Sequence, residues 1–324
     1  MKRNAQVPPI DSRCTRRDAV KIGLKTGLTG IAAGATLLSS GEARAAAPKF
    51  SFVHITDTHI QPELDAVAGV KKAFRAIKAL PQKPAFGLVG GDIVMDTAYT
   101  DKKRAELLYD LWQQAASELG FPLYYTVGNH DVWAIGGENK VAETHPDWGK
   151  KWWMKRLGLQ NRYGSFTHQG WKFFLLDSVG VSPDKWWGEV DIEQMNWLDG
   201  ALRKTDRKTP VVALTHIPIL TTYGLYTSGT TTALNEGMIV KNGKEVMDLL
   251  HTRNLKAVLQ GHTHVVEECR YRGASYITGG AVCGEWWKGK RLGIHPEGFT
   301  VCTVSGDTLS SRYVPYGWTP KKSA

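Results

Sequence analysis

The sequence predicts an α/β fold with a largely parallel β-sheet. The first observation is a short apolar run at residues 50–56, followed by helical periodicity over residues 67–80. The second is that the pattern repeats, since strand-like runs at 86–90 and 123–127 flank a helical segment at 101–119. Strands that alternate with helices form βαβ units, in which the strands pair in parallel.

The same alternation continues in the second half of the chain. A hairpin is predicted first, with strands at 163–168 and 171–176 around the turn Gln169-Gly170. The predicted elements that follow are a helix at 191–203, a strand at 211–215, a helix at 244–253 and a strand at 255–259.

Two regions depart from this rhythm. Residues 133–160 are rich in Trp, Lys and Gly and are interpreted as an insertion. Residues 265–318 contain short strands joined by turns such as Arg272-Gly273 and Gly306-Asp307, which predicts an antiparallel region. Because neither a repeat nor a linker separates these parts, we expect one catalytic domain over residues 46–324.

The N-terminal segment 1–45 has the features of an export leader. Arg16-Arg17 lies before a Gly- and Ala-rich stretch at residues 22–38, and Ala43-Arg44-Ala45 offers a cleavage site with small residues. This order is typical of a twin-arginine signal, so we expect the twin-arginine export machinery as a partner and a periplasmic or secreted protein. Since the stretch includes Lys25 and many glycines, no stable membrane anchor is expected.

The charge of the chain argues against a nucleic-acid binder. Residues 1–45 carry eight Lys or Arg and three Asp or Glu, so half of the formal net charge of +10 belongs to the leader and +5 remains. That balance favours small anionic ligands and is too mild for a nucleic-acid surface.

The cysteines do not form a zinc module. Outside the leader the sequence has Cys269, Cys283 and Cys302, whose spacing matches no such module. Two arrangements remain open, namely one disulfide with one free thiol, or three buried thiols.

Polar residues follow five of the predicted strands. The motifs are Asp57-Thr-His59, Gly91-Asp92, Gly128-Asn129-His130-Asp131, Thr215-His216 and Gly261-His262-Thr-His264. In open α/β sheets, ligand groups gather at the carboxyl ends of strands. Asp57 and His59 are two residues apart on a strand end, so we expect both side chains on one face, and His262 and His264 repeat this spacing.

The composition of this set predicts a pair of metal ions. Mixed Asp, His and Asn ligation suits Fe, Mn or Zn better than Ca, which prefers oxygen alone. Seven candidate ligands are too many for one metal and fit two metals that share a carboxylate. The candidates are Asp57, His59, Asp92, Asn129, His216, His262 and His264.

These motifs resemble the calcineurin-like metallophosphoesterase superfamily, whose pattern is D-x-H, G-D, G-N-H-[DE], H and G-H-x-H in that order. All five blocks are present across residues 57–264. The resemblance implies a four-layer αββα sandwich of two mixed β-sheets flanked by helices. It also implies a dinuclear metal site at the strand ends, where a metal-bridging hydroxide attacks phosphorus.

The resemblance also assigns roles to the residues. It places Asp57, His59, Asp92 and His264 on the first metal, and Asn129, His216 and His262 on the second, with Asp92 bridging. It makes His130 a catalytic residue that stabilises the transition state or protonates the leaving group, and it makes Asp131 the carboxylate that orients His130.

One departure bears on the substrate. Purple acid phosphatases of this superfamily have a tyrosine ligand three residues after the bridging Asp, where this chain has Met95. The compact length resembles the bacterial cyclic-nucleotide and glycerol phosphodiesterase branch. The first expectation is hydrolysis of a small phosphodiester, with phosphomonoester hydrolysis and a catalytically silent metal-binding scaffold as alternatives.

The twelve tryptophans allow two interpretations. Large aromatic side chains anchor long loops, and they also form rims that bind the organic part of a substrate. Among the other histidines, His54 is expected in the core and His295 is a candidate for substrate contact. His145, His168 and His251 are expected to be surface or core residues.

Overall fold

Two mixed β-sheets that face each other form the framework of the protein. The structure is a computed structural model and describes residues 47–320, so the predicted leader lies outside the described residues. In chain order the strands are β1 (Lys49–Ile55), β2 (Gly87–Val89), β3 (Leu123–Tyr125), β4 (Gly164–His168), β5 (Trp171–Leu175), β6 (Val179–Ser182), β7 (Lys185–Gly188), β8 (Pro210–Leu214), β9 (Asn254–Gln260), β10 (Val266–Tyr271), β11 (Ala274–Gly279), β12 (Gly298–Ser305) and β13 (Thr308–Pro315). The helices are α1 (Ala66–Lys78), α2 (Lys102–Ala116), α3 (Lys150–Leu157), α4 (Ile192–Arg203), α5 (Tyr223–Thr227) and α6 (Gly243–Leu250).

Both sheets combine parallel and antiparallel strand pairs. The first sheet has the order β13-β12-β1-β2-β3, in which β1, β2 and β3 are parallel. The second has the order β10-β11-β9-β8-β5-β4, in which β11, β9, β8 and β5 are parallel. The predicted mixed sheets are confirmed. The C-terminal hairpins β10–β11 and β12–β13 are antiparallel as predicted, although β11 also pairs in parallel with β9.

Strand side chains alternate between two apolar layers. Phe52 and Phe173 point between the sheets, where their rings meet edge to face at 5.5 Å. Val53 and Phe174, one residue later in each strand, point to the outer faces, which the helices cover. This period of two is the normal geometry of a strand that is buried on both sides.

The helices cover the two outer faces. In α1 the buried residues Val70, Phe74 and Ile77 recur at helical spacing, and α1 packs beside α2. On the other side, α4 and α6 pack together and bury residues such as Leu198 and Val246. Helix, sheet, sheet and helix form the four-layer sandwich expected from the sequence.

The Trp-rich segment 133–160 contributes to the core. Trp133, Trp152 and Trp153 are buried, and the rings of Trp133 and Trp152 lie 5.4 Å apart. Helix α3, which the sequence analysis did not predict, lies inside this segment. For these three tryptophans the anchoring interpretation is therefore confirmed.

Two further findings concern the described residues as a whole. Within residues 47–320, no helix has the length and apolar character needed to cross a bilayer. Cys269, Cys283 and Cys302 are all free thiols, so of the two open arrangements the disulfide is not the one present, and Cys269 is only half-buried.

Candidate metal centre

The five sequence motifs meet at one edge of the sandwich. Asp57, Asp92 and Asn129 follow β1, β2 and β3 of the first sheet, and His216 and His262 follow β8 and β9 of the second. Parallel strands end at a common edge, so residues far apart in the chain come together there. The predicted location of the site is confirmed.

The turns that carry these residues have left-handed backbone. The φ angle is +54° at Asp57, +39° at His59, +72° at His262 and +61° at His264. Such values are uncommon outside glycine and concentrate at functional sites. The sequence analysis expected the residues of each pair, Asp57 with His59 and His262 with His264, to share one face of a strand end. That explanation was wrong, because all four residues lie in turns beyond their strands. His262 and His264 accordingly point into different clusters.

The first cluster contains Asp57, His59, His264 and Asp92, all buried. His264 Nε2 lies 3.2 Å from Asp57 Oδ1 and 3.1 Å from His59 Nε2. His59 Nε2 lies 3.6 Å from Asp92 Oδ2. Donor atoms this close could together hold one metal ion, because metal bonds to imidazole and carboxylate are about 2.0–2.2 Å long.

The second cluster contains His216, His262 and Asn129. His216 Nε2 lies 3.1 Å from Asn129 Oδ1 and 3.3 Å from His262 Nδ1. The same nitrogen lies 3.1 Å from Asp92 Oδ2, the oxygen that also faces His59. One carboxylate oxygen is thus directed at both clusters.

The backbone holds Asp92 in this position. Asp92 Oδ1 accepts a 2.8 Å hydrogen bond from the N–H of His130, which leaves Oδ2 for the clusters. Gly128 packs so closely that an added Cβ would lie 2.1 Å from Asp92 Oδ1. Glycine at position 128 is therefore required by the close approach of the backbone to the carboxylate.

Main-chain carbonyl groups orient two of the histidines. His216 Nδ1 lies 2.8 Å from the oxygen of Gly90, and His264 Nδ1 lies 2.6 Å from that of Gly284. A proton on Nδ1 that is donated to a carbonyl leaves the lone pair of Nε2 facing the cluster, which is the form that binds metal.

His130 lies beside the first cluster. Its half-buried ring meets that of His59 edge to face at 4.7 Å, and its Nδ1 is 2.5 Å from the main-chain oxygen of Met95. With Nδ1 engaged by that carbonyl, Nε2 is the atom available to a substrate. The position fits the predicted catalytic role.

The predicted role of Asp131 was wrong. Its buried carboxylate accepts hydrogen bonds from the N–H groups of Gly128, Asp92 and Ile93 at 2.8–2.9 Å. It thereby joins the loop after β2 to the loop after β3, whereas the ring of His130 is oriented by Met95. The Asp131 side chain therefore supports the site by fixing the backbone of these two loops, and it does not orient the ring of His130.

Charge pairing in the buried cluster shifts several pKa values. Burial would raise the pKa of Asp57, but the charge of His264 lowers it to about 2. Burial opposes protonation of His216, yet Asp92 and Asp57 raise its pKa to about 9. Burial, together with the charge of His216, lowers the pKa of His262 to about 3. Protons on His216 thus compensate a buried negative charge that metal cations would otherwise compensate.

Sequence reasoning missed several contributors to the site. The carbonyl groups of Gly90, Gly284 and Met95 carry no side-chain signal and could not have been found. The tryptophans, by contrast, had been interpreted either as loop anchors or as a rim around the substrate. Trp286 has its ring 4.8 Å from that of His264, and Trp186 has its ring 5.6 Å from that of His262, which agrees with the rim interpretation for these two residues.

The remaining histidines lie outside the metal-ligand groups found among the described residues. His54 is fully buried, as expected, and lies against Gly90 and Gly279 between the sheets. His295 Nδ1 accepts a 3.2 Å hydrogen bond from the N–H of Val266, which ties its loop to the start of β10. The other three histidines have unrelated contacts, His145 with Trp133, His168 with Phe86 and His251 with Tyr276.

A four-layer α/β sandwich with clustered Asp, His and Asn ligands at the strand ends defines a metal-dependent phosphoric ester hydrolase. Residues 50–266 match the calcineurin-like phosphoesterase family, and the chain belongs to that family. The expected family is confirmed.

Named relatives include both phosphatases and a phosphodiesterase. The chain is 27% identical over 248 residues to the serine/threonine-protein phosphatase CPPED1 of Bos taurus, covering 75% of this chain and 71% of that protein. It is 25% identical over 247 residues to the "Probable cyclic nucleotide phosphodiesterase" of Rhodococcus erythropolis, covering 73% and 72%.

Solved structures share the fold at low identity. A dimetal phosphatase from Danio rerio matches with a TM-score of 0.55 and 14% identity, over 83% of this chain and 99% of that one. GAP50, the anchor in the inner membrane complex of Plasmodium, matches with a TM-score of 0.50 and 14% identity, over 83% and 85%. The fold therefore serves more than one role, and the ligand set of this chain is what identifies a hydrolase.

Proposed function

We propose that this protein is a dinuclear metal-dependent phosphodiesterase. The observation that carries the proposal is the position of Asp92 Oδ2, which lies 3.6 Å from His59 Nε2 and 3.1 Å from His216 Nε2. A carboxylate between two histidine-rich clusters is the arrangement that holds two cations close together. When bound, two such metals provide Lewis acidity and an activated nucleophile for an in-line displacement at phosphorus.

The donor set fits borderline transition metals. Asp57 and Asp92 provide carboxylate oxygen, Asn129 an amide oxygen, and the four cluster histidines imidazole nitrogen. Imidazole is a poor ligand for Ca and a good one for Fe, Mn or Zn. Main-chain carbonyl groups bind Nδ1 of His216 and of His264, so the lone pair of Nε2 in each ring faces the cluster. This orientation suits binding of Fe, Mn or Zn.

His130 provides the group that acts on the substrate directly. Its half-buried ring lies beside the ring of His59 in the first cluster and is oriented by Met95. From this position Nε2 can donate a hydrogen bond to a phosphate oxygen or a proton to the leaving oxygen. Each contribution accelerates such reactions by about 10²–10³-fold or more.

The preference for diesters rests on two supports. The Rhodococcus relative is named for cyclic nucleotides. Met95 stands where purple acid phosphatases of the superfamily have a tyrosine ligand, which favours the phosphodiesterase branch that the compact length also resembles. Phosphomonoester hydrolysis is the second candidate, because the Bos taurus relative is named a phosphatase. A silent scaffold is disfavoured, since every ligand position and His130 are filled.

The test is hydrolysis by the leaderless chain loaded in turn with Zn, Mn or Fe. Bis-p-nitrophenyl phosphate and p-nitrophenyl phosphate release the same product, so their kcat/KM values are directly comparable. We expect faster hydrolysis of the diester. Activity on the monoester with none on any diester would overturn the preference, and no activity with any metal would overturn the enzyme itself.

A further inference from the structure

Two Trp-Trp pairs, Trp186-Trp187 and Trp286-Trp287, border the metal centre, and the corresponding residues of the two pairs make similar contacts. In each pair the second tryptophan is an anchor. Trp287 is buried, and its Nε1 donates a 3.0 Å hydrogen bond to the main-chain oxygen of His59. Trp187 donates from Nε1 to Glu189 at 2.6 Å and packs against Gly180 across the hairpin β6–β7. Each anchor fixes the position of the tryptophan before it.

The first tryptophan of each pair lies against a metal-ligand histidine. The Trp286 ring is 4.8 Å from that of His264 and 6.2 Å from that of His59, both in the first cluster. The Trp186 ring is 5.6 Å from that of His262, in the second cluster. Both tryptophans are half-buried, so part of each indole remains accessible beside the metals.

The surroundings of Trp286 keep its ring in one place. Its backbone is left-handed, with φ of +46°. The guanidinium of Arg291 lies 5.4 Å from the ring centroid and is itself held by Glu285 at 2.8 and 2.9 Å and by the hydroxyl of Tyr223 at 2.7 Å. Because Glu285 neutralises Arg291, the guanidinium supports the Trp286 ring and is not a free anion site.

Apolar surface continues from the Trp286 ring onto α5. Tyr223 packs edge to face with Tyr226 at 5.8 Å, and both Tyr226 and Leu225 are about half exposed, at 51% and 53%. Large exposed apolar side chains that border a catalytic centre commonly bind ligands.

We propose that Trp186 and Trp286 form an aromatic subsite that binds a flat ring on the substrate, such as an aryl group or a nucleobase. The proposal rests on the proposed phosphodiesterase function and names the substrate class of that site. Stacking on tryptophan requires only a π-face, so the subsite selects the class of substituent without reading its hydrogen-bonding groups. The phosphate stays at the metals while the ring stacks at their margin.

The kinetic test holds the leaving group constant. Thymidine 5′-(p-nitrophenyl phosphate) and methyl p-nitrophenyl phosphate both release p-nitrophenol and differ only in the retained substituent. We expect the metal-loaded enzyme to favour the thymidine ester, and Trp186→Ala and Trp286→Ala each to reduce that ratio of kcat/KM by about tenfold, as loss of one base–aromatic stack does. Trp286→Phe keeps a ring and retains most of the preference.

A matched control comes from the same chain. Trp197 is also half-buried, but its ring packs on Tyr163 at 4.8 Å, on helix α4. Trp197→Ala is expected to leave the ratio unchanged. Metal content is measured for every variant. Equal losses on the two esters, or an equal ratio in all proteins, would overturn the subsite.

A binding measurement separates this proposal from the proposed function. Phenylphosphonate and methylphosphonate are not hydrolysed and differ by the ring, so calorimetric titration of the metal-loaded protein measures the subsite alone. We expect phenylphosphonate to bind about tenfold more tightly, with the difference lost in the two alanine variants. If that difference stands while neither ester is hydrolysed, the subsite is supported and the phosphodiesterase function is overturned. If the two phosphonates bind equally, the subsite is overturned.

Discussion

The ring of His130 is oriented by the main-chain oxygen of Met95, which lies 2.5 Å from His130 Nδ1. A backbone partner is insensitive to the side chain at position 95. The orientation of the His130 ring therefore does not require a tyrosine side chain at position 95. The carboxylate of Asp131, which the sequence suggested as the partner, serves the backbone instead.

We predict that His130→Ala retains its metals and loses at least about 100-fold in kcat, because a general acid or a transition-state hydrogen bond is lost. The loss should be larger for an alkyl leaving group than for p-nitrophenolate, which needs no proton. Steady-state kinetics and elemental analysis measure both effects. Met95→Leu keeps the carbonyl and is the control. Full activity in His130→Ala would remove this residue from the mechanism.

We predict that Asp131→Asn lowers the free energy of unfolding by about 3 kcal/mol. The carboxylate accepts four backbone N–H bonds in a buried site, and an amide would turn its NH₂ toward one of those donors. Urea denaturation of the metal-free protein measures the change. If the variant unfolds like the wild type but loses the pH dependence of kcat, Asp131 acts on His130, as the sequence resemblance implied.

We predict that Asp92→Asn weakens both metal sites together. Asp92 Oδ2 faces His59 and His216, so loss of its charge removes compensation from both cations. Elemental analysis after dialysis should show well under one equivalent, against two for the wild type. Asp96→Asn is the control, since Asp96 is a nearby half-buried carboxylate that accepts from the N–H of Ala98. Loss of one metal only would show that Asp92 does not bridge.

We propose export by the twin-arginine route and predict that replacing Arg16 and Arg17 together by Lys traps the precursor inside the cell. Export of a folded chain would allow the metals to be acquired before transport. Fractionation with an antibody against the mature chain measures the distribution. Unchanged export in the double variant would show that another route is used.

Much of the fold could be predicted because its signals are local. The helical spacing of Val70, Phe74 and Ile77 and the turns at Gln169-Gly170 and Arg272-Gly273 each specify an element within a few residues. The ligand motifs were equally legible, because each consists of adjacent residues after a strand. Parallel pairing brings the motifs of each sheet together, and the packing of the two sheets against each other brings both sets to one site.

What could not be predicted depends on contacts between distant segments. Helix α3 and the hairpin β6–β7 are short and are stabilised by tertiary packing, so propensity does not reveal them. The left-handed backbone at Asp57 and His264 follows from how the chain turns into the site. The partners of His130 and Asp131 are main-chain groups, which every sequence has at every position.

The last prediction concerns pH. The folded, metal-free protein holds a proton on His216 with a pKa of about 9, where an unfolded histidine has about 6.5. His264, next to Asp57 and Cys283, also has its pKa raised although burial opposes this. The stabilisation that these protons contribute is complete below pH 6.5 and is lost as the pH rises through the folded pKa. Between pH 6.5 and 8, deprotonation of His216 alone should lower the free energy of unfolding by about 2 kcal/mol.

Metal binding reverses this trend, because cations bind the deprotonated imidazoles and protons compete with them less as the pH rises. The difference in unfolding free energy between metal-loaded and metal-free protein should therefore widen from pH 6.5 to 8, an interval that ends before cysteine ionisation contributes. Urea denaturation at a series of pH values measures both curves, and His216→Gln should flatten that of the metal-free protein. A metal-free wild type that is equally stable at pH 6.5 and 8 would show that His216 is neutral in the folded state and that Asp92 is balanced by another group.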